Sequence, residues 1–236
     1  MMSTRAFAVL GACLVLALAV FGVQLNRAVR KGREFDRYLT VRGLSEREVK
    51  ADLAIWPIRF SVHAEELGAL KKAMERDRDT VLAFLAAAGI DPKEVALGLP
   101  TLSDRLDEKI QGGKPELLRY KGTTTLVVRS ADVDRVKAAI QKVDVLLEKG
   151  VSLANNEYSD RPEFLFTAVA AAKPDMIREA TANARAAAEK FAQDSHTRVG
   201  GIRRASQGLM EINDRDAASP EQKSLRIVTT IDFFME

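Results

Sequence analysis

Apolar and polar residues alternate with different periods along the chain. Residues Ala6 to Val23 (AFAVLGACLVLALAVFGV) are an unbroken apolar run. At 1.5 Å per residue a helix of that length extends roughly 27 Å, about the hydrocarbon thickness of a bilayer. With Gln24 and Leu25 the run predicts a transmembrane anchor or signal at residues 6–25, after a short tail at 1–5 and before a charged linker at 26–37. Beyond it, Tyr38 to Gly43 reads as a short strand. Lys50 to Val62 reads as a long one, with Ala54, Trp56, Ile58, Phe60 and Val62 on one face at period two. Pro57 has no amide to donate, which predicts a sheet edge or a bulge at that point.

Helical spacing takes over at Glu65 to Ala88, where Leu67, Leu70, Met74, Val81, Leu85 and Ala88 form a stripe interrupted by Asp77 and Arg78, and Gly89 supplies a stop. Val95 to Leu106 is extended around Pro100, and Arg119 to Arg129 is a Thr/Val-rich strand. Ser130 caps a predicted helix over Ala131 to Glu148, with Val133, Val136, Ile140, Val143 and Leu147 as its buried stripe and Gly150 past its end. The pattern then repeats in outline. Glu163 to Ala168 is a strand, and Pro174 opens a helix to about Gln193 with a face of Ile177, Ala180, Ala184, Ala187, Ala188 and Phe191. Thr197 to Ile202 and Arg204 to Ile212 read as extended, and Leu225, Ile227, Ile231, Phe233 and Met235 alternate along a last strand. About three helices and seven strands in mixed order predict an α+β fold with mixed sheets, formed by one body at residues 38–236 behind the N-terminal transmembrane helix.

Composition narrows the function more than the fold. The 236 residues carry 36 Lys+Arg against 33 Asp+Glu, a net charge of +3, which argues against a nucleic-acid binder. One cysteine, Cys13, and two histidines exclude an intramolecular disulfide and a Cys/His zinc cage. Cys13 lies in the middle of the apolar run, where a thiol stays protonated and inert. Leu10-Gly11-Ala12-Cys13 has the form of a lipobox, but most of the apolar run follows the cysteine. Ala17-Leu18-Ala19 offers a signal-peptidase site as the alternative to an uncleaved anchor. Arg27, Arg30, Lys31, Arg33 and Arg37 outnumber Arg5 before the span. By the positive-inside rule alone they would keep the large domain in the cytoplasm.

Catalytic and binding motifs are scarce. His63 follows a strand and His196 a helix, positions where hydrogen bonds to terminal carbonyls are the plainer explanation. Gly200-Gly201 with Arg198, Arg203 and Arg204 suggests an anion site. However, phosphate cradles place their glycines before a helix, and these come after one. Asp104, Asp107 and Glu108, and likewise Asp214 and Asp216, sit in polar stretches that read as surface. The alternating run Glu75-Arg76-Asp77-Arg78-Asp79 reads as a solvated helix face or a seam between subunits. No catalytic, cofactor-binding or metal-ligating residue is assigned, and no cofactor is implied.

Six segments together carry a resemblance. They are RYLTVRGLSEREVKADLAIWPIRF (Arg37 to Phe60), VLAFLAAAGI with Pro92 and Glu94, RYKGTTTLVVRS (Arg119 to Ser130), RPEFLFTA (Arg161 to Ala168), EATANARAAAEKFAQDSHTRVGGIRRASQG (Glu179 to Gly208) and VTTIDFF (Val228 to Phe234). In this order they resemble the SIMPL-domain proteins of bacterial cell envelopes. His196 stands where that family usually has a glycine. The resemblance implies an α+β domain facing the periplasm, behind an anchor in the inner membrane or a cleaved signal. It also implies self-assembly and a loose link to oxidative-stress defence, with no agreed reaction and no residues to carry over. On that basis the charge count is overruled for orientation.

The function expected is that of a membrane-anchored, periplasm-facing structural or interaction protein. It acts as a homo-oligomer, is not an enzyme, and has the membrane and further copies of itself as partners. The alternative is a ligand- or peptide-binding module that adds a strand at an open sheet edge.

Overall fold

The computed structural model describes residues 17–25, 37–106, 118–154 and 160–236. Its elements are β1 (Tyr38–Lys50), β2 (Leu53–Ala64), α1 (Leu67–Ala87), a 3-10 turn (Pro92–Glu94), β3 (Val95–Leu97), β4 (Thr101–Asp104), β5 (Tyr120–Ser130), α2 (Val133–Ile140) and α3 (Asp144–Glu148). After these come β6 (Glu163–Leu165), α4 (Val169–Asp194), β7 (Val199–Gln207), β8 (Glu211–Asp214) and β9 (Gln222–Met235). The fold is α+β, as expected, but its two sheets are antiparallel and not mixed. One has the order β1-β9-β7, with β8 also on β9; the other has the order β3-β5-β2-β6, with β4 also on β5.

The expected span at 6–25 falls partly outside the described residues. Residues 17–25 are helical, with Leu18, Val20, Phe21, Val23 and Leu25 exposed. No helix among the described residues is long and apolar enough to cross a membrane.

Two compact units divide the chain: one of residues 48–169 and 212–225, the other of the remaining segments. In the first, β2 and β5 pair along their whole length from Ala54↔Ser130 to Ala64↔Tyr120. Period two places Ala54, Trp56, Ile58 and Phe60 with Leu126 and Val128 on one face, buried in the same core as Leu70, Val81, Phe84 and Leu85 of α1 and Val133 and Val136 of α2. Gly122 faces α1, since a Cβ there would overlap the Met74 side chain.

Pro57 is not on an edge strand, because β2 has β5 on one side and β6 on the other. Its missing donor falls in a gap instead. Backbone groups of odd-numbered β2 residues point away from β5: Ser61 donates to the Ser152 carbonyl (2.9 Å) and the Arg59 carbonyl accepts from Ala154 (2.9 Å). On that side β6 covers only Leu53 to Ile55.

The helix expected over Ala131 to Glu148 is broken. Lys142 and Val143 donate to the carbonyls of Ala139 (3.0 Å) and Ile140 (3.2 Å), three residues back. Such turns advance about 120° per residue and not 100°, so the face rotates. Leu146 is buried in consequence, and Leu147, expected in the stripe, is 56% exposed.

In the other unit α4 starts at Val169, ahead of Pro174, whose ring nitrogen has no hydrogen to give to the carbonyl four residues earlier. Its alanines Ala184 and Ala188 pack on Ile231 and Phe233, with Leu39, Val41 and Val199 around them. Gly43 allows this close approach. A Cβ on it would lie 2.6 Å from the Ala184 amide and nearer still to the Ala180 carbonyl. β1 flanks β9, with Met235 N–H donating to the Arg37 carbonyl (3.0 Å) and Thr40 Oγ1 to Asp232 (2.7 Å).

Both sheets share one arrangement: a helix-bearing β-strand pair whose third strand is broken in two. Gly98 interrupts β3–β4 and Gly208 interrupts β7–β8. Gly98 N–H donates to the Thr125 carbonyl (2.8 Å) and Gly208 N–H to the Val228 carbonyl (2.9 Å). At either glycine a Cβ would press on that same oxygen, at 2.8 Å and 3.1 Å. After the break the registers match again, with Arg105 N–H on the Arg119 carbonyl (2.7 Å) and Arg215 N–H on the Gln222 carbonyl (2.8 Å).

Candidate functional site

Most of the sequence candidates serve the fold. Cys13, Asp107 and Glu108 lie outside the described residues. His196 ends α4 with φ +55°. Around it Thr197 donates to Ala192 (2.8 Å) and His196 to Gln193 (3.2 Å), which is the Schellman arrangement with His196 in the left-handed position. Gly200 and Gly201 sit inside β7, beside a register shift, and form no cradle. At Gly200 a Cβ would press on the backbone and side chain of Phe234, so the glycine serves strand packing. Arg203 lies over the Tyr38 ring at 4.2 Å.

The carboxylates are tied up in ion pairs: Asp104 with Arg119 (2.9 Å), Asp214 with Lys223, and Asp216 with Arg215 (2.8 Å). In α1 the pairs are Arg76–Asp77 (2.9 Å), Arg78–Asp79 (2.9 Å) and Lys71–Glu75 (3.9 Å). Asp77, expected to break the buried stripe, is itself only 4% exposed. Among the described residues no three His, Cys, Asp or Glu side chains are grouped to hold a metal.

Two features sequence reasoning missed lie on opposite faces of the β4–β5 pair. On the α1 face an open groove of about 610 Å³ runs between the helix and the β3–β4 connection. Leu67, Leu70 and Met74 line one wall, and Leu97, Leu99 and Leu102 the other. These walls are unusual in being uncovered: Leu97, Leu67 and Leu102 are exposed by half or more, and Leu99 is 93% exposed. Leu209, after the second strand break, is 91% exposed. The breaks share a sequence, Gly98-Leu99-Pro100-Thr101-Leu102-Ser103-Asp104-Arg105 against Gly208-Leu209-Met210-Glu211-Ile212-Asn213-Asp214-Arg215. Glycine, leucine, a branched apolar residue, aspartate and arginine recur at one spacing, a signal visible in the chain without coordinates. β4 and β8 each pair with a single strand among the described residues, so each leaves an edge open.

Facing away from α1 is a polar cleft of about 330 Å³ lined by Thr101, Ser103, Arg105, Lys121 and Thr123. Antiparallel register explains the assembly. Ser103 lies opposite Lys121 and Lys121 opposite His63, while Thr101 lies opposite Thr123 and Thr123 opposite Ser61. Directly opposed residues share a face, so the rows project together. Burial, then the charges of Lys121 and Arg105, hold protonation of His63 below the usual imidazole range.

The family model SIMPL, described as "Protein of unknown function (DUF541)", matches residues 39–230. No curated protein matches the chain. Among solved structures, an amidase of the hydantoinase/carbamoylase family from Burkholderia phymatum is similar at 15% identity and a TM-score of 0.25, over 55% of this chain. The match spans 32% of the amidase's length, and at that score it carries no argument about fold or activity.

Proposed function

The chain belongs to the SIMPL family, and from that premise we propose that it is a membrane-anchored, periplasm-facing interaction protein that works as a homo-oligomer. Its role is structural and not enzymatic, and any contribution to oxidative-stress defence is indirect, through the integrity of the envelope. The observation that carries the reading is the duplicated strand break, which leaves Leu99 and Leu209 more than nine-tenths exposed beside the open edges of β4 and β8. Exposed apolar side chains next to an unpaired edge invite association, which soluble chains otherwise suppress with charge or bulges. Carrying the motif twice gives each copy two contacts, the requirement for a closed ring. The apolar run at residues 6–25 supplies the anchor.

Light scattering of residues 37–236 over a range of concentrations tests this, with a discrete multimer expected. Leu99→Asp with Leu209→Asp touches no buried contact, and it should dissociate the multimer while leaving the circular dichroism unchanged. A wild-type monomer at all concentrations overturns self-assembly of this domain. The groove beside β4 favours a second reading, in which an apolar extended peptide adds to that edge. On that reading Leu99→Asp weakens peptide capture by the monomer, and Leu209→Asp leaves it unchanged.

A further inference from the structure

We propose that the groove beside β4 is filled by the second strand break of a neighbouring copy, with Leu209 as the side chain that enters it. This rests on the self-assembly reading and gives it a direction: the first break of one copy meets the second break of the next. Within one copy both halves stay uncovered, since Leu67 and Leu102 are each 51% exposed, Leu99 93% and Leu209 91%. A contact between copies buries them together.

The two breaks share a backbone and differ in what lies beneath it. Gly98 bonds the Thr125 carbonyl and Gly208 that of Val228, and the later bonds to Arg119 and Gln222 keep the same step. β5 and β9 therefore align with Thr125 at Val228, which sets Gly122 against Leu225 and Thr124 against Ile227. Gly122 leaves room for the Met74 side chain, and Thr124 lines the groove. Leu225 and Ile227 are large apolar side chains and fully buried. The first break thus offers a socket, and the second a projecting leucine over filled positions. An aliphatic anchor in an apolar pocket is the usual core of a specific contact.

Charge separates this pairing from one between two first breaks. The groove of about 610 Å³ is bordered by Lys71, Arg78 and Glu75, two cations against one carboxylate. Glu75 holds Lys71 only at 3.9 Å, near the outer limit of an ion pair. Glu211 is exposed two residues beyond Leu209, where the first break has Thr101. A seated Leu209 therefore carries a carboxylate to a basic rim, whereas a seated Leu99 brings none. The open edges of β4 and β8 leave backbone groups free to bond across the same contact. Such a head-to-tail contact passes from copy to copy, and it closes into a ring where the rotation allows.

The experiment uses the full chain in detergent micelles, with the mass of each complex read by native mass spectrometry. One variant, Leu67→Asp with Leu102→Asp, spoils the groove and keeps Leu209. The other, Leu209→Asp, keeps the groove and is uniformly labelled with 15N so that the two are told apart. Each alone is expected at monomer mass, with the circular dichroism of the wild type. Mixed in equal amounts, they should form a dimer of one copy each and nothing larger, because one intact socket and one intact leucine remain. Glu211→Lys should raise the concentration at half-assembly about tenfold. A monomeric wild type overturns this contact together with the self-assembly on which it rests. A wild-type multimer that either variant alone preserves, or a mixture that yields only monomers, overturns the contact and leaves self-assembly standing. An unaltered half-assembly concentration in Glu211→Lys overturns the placing of that residue against the groove rim.

Discussion

Three helices end alike, and one of them at a cost. After α1, Gly89 has φ +81°, with Ile90 donating to Leu85 (3.0 Å) and Gly89 to Ala86 (2.9 Å). After α3, Gly150 has φ +82°, with Val151 donating to Leu146 (2.9 Å) and Gly150 to Leu147 (2.9 Å). After α4 the identical bond pair forms around His196 at φ +55°. A side chain in left-handed backbone costs about 1–2 kcal/mol, since its Cβ crowds the following carbonyl. Glycine escapes that cost but gives up about 0.5–1 kcal/mol of extra chain entropy on folding. His196→Gly should therefore stabilise the protein by about 0.5–1 kcal/mol.

Urea unfolding followed by circular dichroism reads this directly. With a slope of about 2 kcal/mol per molar, the midpoint of the transition that melts α4 should rise by roughly 0.3–0.5 M at constant slope. Gly150→Ala is the reverse experiment. A Cβ there meets nothing within 4 Å, so its expected loss of about 1 kcal/mol is purely conformational. Should His196→Gly prove neutral or destabilising while Gly150→Ala costs its full amount, the strain argument for α4 is wrong and the imidazole must make contacts that outweigh it.

Two further outcomes follow from the packing and the charges. Gly43→Ala should cost about 3 kcal/mol in urea unfolding, because its Cβ would meet the α4 backbone and not a movable side chain. Gly201→Ala, with no atom within 4 Å of its Cβ, should be near neutral by the same assay. His63 binds its proton less readily folded than unfolded, so the unfolded chain holds more protons around the ordinary imidazole value of 6.5. Stability should thus rise with pH through that window and be lost as pH falls through it. In His63→Gln that part of the slope should disappear, and an unaltered pH profile of the urea midpoint would refute the assignment.

Element order was readable because its signals are local. Period two marked the buried face of β2, the Thr/Val content marked β5, and the alanine face of α4 anticipated its close approach to a sheet. What escaped depended on pairing. Pro57 has no donor, but whether that makes an edge or a gap is decided by where β6 stops, far along the chain. The rotation between α2 and α3 moved burial from Leu147 to Leu146, which helical periodicity by itself assigns the other way. The polar cleft was invisible for a similar reason. His63, Ser103 and Lys121 are scattered along the chain, and only the register of three strands puts them in one row.

His196 and the two strand breaks illustrate what local sequence signals omit. A glycine in either break is dictated by a carbonyl of the neighbouring strand, and the leucine after it is left exposed by the same geometry, so fold and surface are fixed together. The flanking positions are free of that constraint. Thr101 stands where the second break has Glu211, so one backbone carries a neutral flank once and an acidic flank once.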